Sequence, residues 1–105
     1  MPFSFQSEAK QFLAELIALE AKREGEALSD AERKLLLFSV DEPESAEGIP
    51  EERLYQDDSD FEYRAGRIFK TIYKNADREQ KKRIDQALSE LKNGDHYILV
   101  VTNAI

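Results

Sequence analysis

Six acids fall within twelve residues: Glu51, Glu52, Asp57, Asp58, Asp60 and Glu62. Carboxylates at that density are the raw material of a hard-cation site, since calcium takes roughly six to eight oxygens from a loop folded around the ion. The spacing fails the EF-hand pattern. With Asp58, Asp60 and Glu62 at the first, third and fifth positions, the sixth is Tyr63, where glycine makes the turn. The twelfth is Phe69, where a glutamate ligates. No metal ligand is therefore assigned. Two readings remain. One is a solvated acidic loop that also favours the start of the following helix. The other is an acidic docking surface for a basic protein. Residues 41–62 hold ten acids against a single base, Arg53, which suits the second reading.

A basic run follows at once: Arg64, Arg67, Lys70, Lys74, Arg78, Lys81, Lys82 and Arg83, with Asp77 and Glu79 as its only acids. Clustered cations of this kind contact phosphate, and nucleic acid is the alternative partner they imply. Only Tyr73 interleaves with the later part of the run. The net charge of −7 gives the whole chain a field that repels a polyanion. The plain reading of the run is the solvated side of an amphipathic helix.

Catalytic groups are sparse. His96 is the one histidine, and a general base of this type needs a nucleophile and an orienting carboxylate. Asp95 is merely its neighbour in sequence. The seven serines include no Gly-x-Ser-x-Gly elbow, and the four glycines stand apart, without a phosphate-cradling loop. There is no cysteine, which removes thiolate metal sites, disulfides and thiol nucleophiles. A single histidine removes any two-histidine metal motif. The expectation is a chain that is not an enzyme and carries no cofactor.

The supports of these residues belong to one expected domain over 1–105, since 105 residues suffice for a single core. The sequence has no apolar run near the ~18 residues of a membrane span, and its first residues lack a signal peptide's basic and apolar parts. A cytoplasmic protein is expected. Apolar residues at helical spacing predict a helix over 8–24, with Ser7 as N-cap and Gly25 as the stop. Ser29-Asp30-Ala31-Glu32 is a capping box opening a second helix to about Ser39. Residues 41–57 read as a long connection relieved by a short turn at 50–54, with Ile49, Leu54 and Tyr55 pinned to the core. A third helix spans 60–75 with the stripe Phe61, Ala65, Ile68, Phe69, Ile72 and Tyr73. Gly66 lies inside it at a cost of about 1 kcal/mol against alanine, which points to a close backbone approach or a tolerated solvent position. A fourth helix spans 78–92 behind the N-cap Asp77. The tail over 95–105 is ambiguous. A fifth short helix capped by Asp95 is favoured over a strand pairing with Phe3-Ser4-Phe5.

The fold expected is all-α: a small antiparallel bundle of four main helices, with short links making the first and second, and the third and fourth, neighbours. Leu35 to Phe38 are apolar on every side, so Leu36, Leu37 and Phe38, like the tail Ile98–Val101, are either buried core or a surface for a partner or a second copy. In size and acidity the chain resembles small helical immunity and inhibitor proteins that block basic toxins. The functional expectation is an adaptor or stoichiometric inhibitor that meets a basic protein through Glu51, Glu52, Asp57, Asp58, Asp60 and Glu62. The alternative is phosphate binding through Arg64, Arg67, Lys70, Lys74 and Arg78.

Overall fold

The first helix, α1 (Glu8–Arg23), starts on an acid and ends on Lys22 and Arg23, the arrangement its dipole favours. The structure, a computed structural model, describes residues 8–54 and 59–103. Ser7, the pairing candidate Phe3-Ser4-Phe5, Tyr55, Asp57 and Asp58 lie outside the described residues. Gly25 stops α1 with φ +78°, a conformation a side chain would resist. The Glu26 N–H reaches back to the Ala21 carbonyl at 2.8 Å, and the Gly25 N–H to that of Lys22 at 3.1 Å. These two bonds satisfy carbonyls the helix would otherwise leave open.

The second helix, α2 (Asp30–Leu37), opens on the expected capping box. The Glu32 N–H donates to Ser29 Oγ at 3.1 Å, and the Ser29 N–H donates to Glu32 Oε1 at 2.9 Å. The helix ends two residues sooner than its apolar run suggests. Phe38 turns extended, and the Ser39 N–H is taken by Ser45 Oγ at 2.8 Å. The connection after it carries the expected short helix, α3 (Glu51–Leu54), and also an unexpected 3₁₀ turn at Pro43–Ala46, with Ile49 buried between them.

Next come α4 (Ser59–Asn75), α5 (Arg78–Ser89) and α6 (His96–Thr102). Phe61, Ala65, Ile68 and Phe69 bury the stripe of α4, and Gly66 is buried beside them, so it is not a solvent position. Asp77 caps α5 through the Gln80 N–H at 2.8 Å. The ambiguous tail is a helix. Its buried residues Tyr97, Ile98, Val101 and Thr102 recur at one and four, the helical period, where a strand would alternate. All the regular elements among the described residues are helical.

Helices α1 and α2 pack as neighbours, as expected, but α4 and α5 do not form a second such pair. Helix α1 is the hub, touching α2, α4 and α5, while α6 lies on α4 and α2. The two-residue link between α4 and α5 does not fold them along one another. Each instead packs on α1, because α4 gives its apolar stripe to α1 and α6. The expectation of a partner surface at Leu36 and Phe38 is also corrected. Leu36 has no exposed surface and Phe38 has 6%. Helices α1 and α6 cover α2, and the Phe38 ring sits 6.2 Å from that of Tyr97. Leu37 is half-buried at the edge of the same core. Ile98 and Val101 of the tail are fully buried, and Val100 is exposed.

Candidate functional site

Among the acids of the 41–62 stretch, Asp41, Glu44, Glu47, Glu51, Glu52 and Asp60 are exposed, and Glu42 and Glu62 are half-buried. The exposed six make no ion pair among the described residues. The backbone that carries them is nonetheless tied down. Ser45 Oγ accepts from the Ser39 N–H and donates to the Glu42 carbonyl at 2.6 Å, which closes the 3₁₀ turn. The Val40 N–H donates to the Gly94 carbonyl at 3.0 Å. A Cβ at Gly94 would run into the Asp41 carboxylate and the Ser39 hydroxyl, so glycine lets the loop lie against the start of α6. Gly48, at φ +85°, has the Lys34 side chain across it. The end of α3 is held by Tyr97, whose hydroxyl donates to the Arg53 carbonyl at 2.8 Å. The result, among the described residues, is a set of six exposed carboxylates without ion pairs, most of them on backbone that is tied down.

Glu24, Glu26 and Glu32, around the α1–α2 link, behave differently. Arg64 and Arg67, three apart and so on one side of α4, face them. Arg64 meets Glu32 at 2.7 Å. Arg67 meets Glu26 at 2.7 Å and Glu24 at 3.5 Å. The hydrogen bond that Arg67 donates to Glu26 raises the Arg67 pKa above its ordinary value. The Glu24 carboxyl is raised too, chiefly by its hydrogen bond with Glu20, then by desolvation and that neighbour's negative charge. Two of the five phosphate-contact candidates are thus engaged within the chain. Lys70, Lys74 and Arg78 are exposed. On α5, Lys81 lies over the Tyr73 ring at 5.6 Å and Arg83 over the Phe12 ring at 4.8 Å. The Tyr73 hydroxyl donates to Asp85 at 2.9 Å, and this bond raises the phenol's pKa. Helix α4 therefore runs from acids to bases. Asp60 and Lys74 stand about 21 Å apart along it at ~1.5 Å per residue.

A buried ion pair escaped the sequence reading. Lys10, 1% exposed, meets Asp95 at 2.8 Å. The second Asp95 oxygen accepts the Lys92 N–H at 2.9 Å. This carboxylate stands at the N-cap position of α6 but makes no side-chain cap, contrary to expectation. It binds the end of the α5 link to α1 instead. The signal was present: Lys10 falls in phase with the buried Leu13, Ala14, Ile17 and Ala21 of α1. His96 is exposed and stands edge-on to Tyr97 at 5.0 Å. With both oxygens of Asp95 engaged, that residue does not orient the imidazole. Among the described residues no three His, Asp or Glu side chains gather as a metal site. No helix among them is long and apolar enough to cross a membrane.

No known protein family, curated protein or solved structure matches the chain.

Proposed function

We propose that the chain is a non-enzymatic binding module, an adaptor or stoichiometric inhibitor, whose acidic surface over 41–62 receives a basic protein. The carrying observation is the contrast in partners. Glu24, Glu26 and Glu32 meet arginines of the same chain, while Glu44, Glu47, Glu51, Glu52 and Asp60 are exposed and make no ion pair among the described residues. Exposed like charges on an anchored backbone attract an oppositely charged partner over about a Debye length and raise the rate of encounter roughly 10- to 1,000-fold. The same contrast weakens the nucleic-acid reading, since Arg64 and Arg67 are already engaged by glutamates.

The test is capture from a lysate of the source cells, with and without nuclease, at low and high salt. The proposal expects one stoichiometric basic protein that survives nuclease and is released by salt. It also expects that protein to be lost when Glu44, Glu47, Glu51 and Glu52 are changed to lysine. Recovery of nuclease-sensitive ribonucleoprotein alone would overturn it in favour of the basic residues of α4 and α5.

A further inference from the structure

The outward face of α1, opposite its buried stripe, carries Glu15, Ala18, Leu19 and Lys22 within about 100° of helix rotation. Leu19 is 61% exposed, one of four large apolar side chains left in solvent among the described residues. Glu15 and Lys22 are exposed and make no ion pair among the described residues. Beside this face, Arg33 and the half-buried Leu37 of α2 edge a depression of about 220 Å³, and Arg33 also edges a second, of about 320 Å³, against Ala18, Leu19 and Lys22.

The order of chemistry on this face is symmetric in one particular way. Reading along α1, the acid precedes the two apolar residues by three and the base follows them by three. An antiparallel copy reverses that order. A two-fold axis crossing α1 between Ala18 and Leu19 sets Leu19 against its own copy and Ala18 against its own copy. It also places Glu15 of each chain opposite Lys22 of the other. Like pairs at the axis and unlike charges on either side are the requirement of a self-complementary contact. A small residue at the centre lets the two helix backbones approach closely.

We infer that the α1 face around Leu19 binds a second copy of this chain in a two-fold, antiparallel contact closed by reciprocal Glu15–Lys22 pairs. The contact uses none of the residues of 41–62 and stands independently of that proposal. A single helix face is small beside a standard interface, and each copy carries net charge −7, so the dimer is weak and concentration-dependent.

Sedimentation of the full chain over a series of concentrations tests it. The native chain is expected to pass from monomer to dimer as concentration rises. Glu15→Lys and Lys22→Glu should each weaken the dimer by about tenfold, because two attractions become two repulsions. The double swap should recover native association, and Leu19→Asp should abolish it. All these positions are exposed, and unchanged helicity by circular dichroism confirms that each variant is folded. A chain that stays monomeric throughout, or a dimer indifferent to the swaps, overturns the inference. So does a double swap that fails to recover what the single changes lost.

Discussion

The two acidic regions have similar composition and different partners. Around the α1–α2 link, Glu24, Glu26 and Glu32 each find an arginine of α4. From Asp41 to Asp60 the exposed acids meet none among the described residues. The difference is not one of residue type. It comes from the three-residue spacing of Arg64 and Arg67, which points both at the same link, and from the packing of α4 on α1 that brings them there. Charge at one location is part of the fold, and at the other it is presented to the surroundings.

Removing an internal partner should have the largest effect. Asp95→Ala removes the carboxylate that meets the buried Lys10 and accepts the Lys92 N–H, and should cost about 3 kcal/mol in denaturant unfolding. Lys10→Met in the same background should cost less than it does alone, because no buried Asp95 carboxylate is then left behind. The next effect belongs to Glu32, which serves twice: one oxygen takes the Ser29 N–H and the other meets Arg64. Glu32→Ala should cost about 1–2 kcal/mol, the sum of half a capping box and a part-exposed ion pair. Its counterpart in the other region, Glu51→Ala, should stay within about 0.5 kcal/mol of the native chain by the same measurement. Equal losses at the two positions would erase the comparison.

The smallest effect is one of pH. The Tyr73 phenol donates to Asp85, so its folded pKa lies above the ordinary value of about 10. The stability it adds is complete below that ordinary value and is lost as pH rises through the folded one. Melting temperatures between neutral and strongly alkaline pH should therefore fall more steeply for the native chain than for Tyr73→Phe.

Much of the fold was legible because it is local. The capping box at Ser29, the stop at Gly25, the cap at Asp77 and the stripe of α4 are each written within a few residues, and each formed as read. What was not legible depends on distant partners. The early end of α2 needs Ser45, six residues beyond Ser39. The failure of Asp95 to cap α6 needs Lys10, at the far end of the chain. The burial of Leu36 and Phe38 needs α6, whose own nature was in doubt until its tail packed. The same holds for the candidate site. The acidic row was visible as composition, but which acids stay unpaired follows only from where α4 places its arginines.

The most direct test compares two baits in salt-graded capture from the source lysate. One carries Glu24→Gln, Glu26→Gln and Glu32→Gln, and the other Glu44→Gln, Glu47→Gln, Glu51→Gln and Glu52→Gln. The first bait should unfold at lower denaturant yet retain the same basic partner under native conditions. The second should match the native chain in stability and lose that partner. A second bait that keeps the partner undiminished, at low salt and high, would contradict the assignment of the acidic row to recognition.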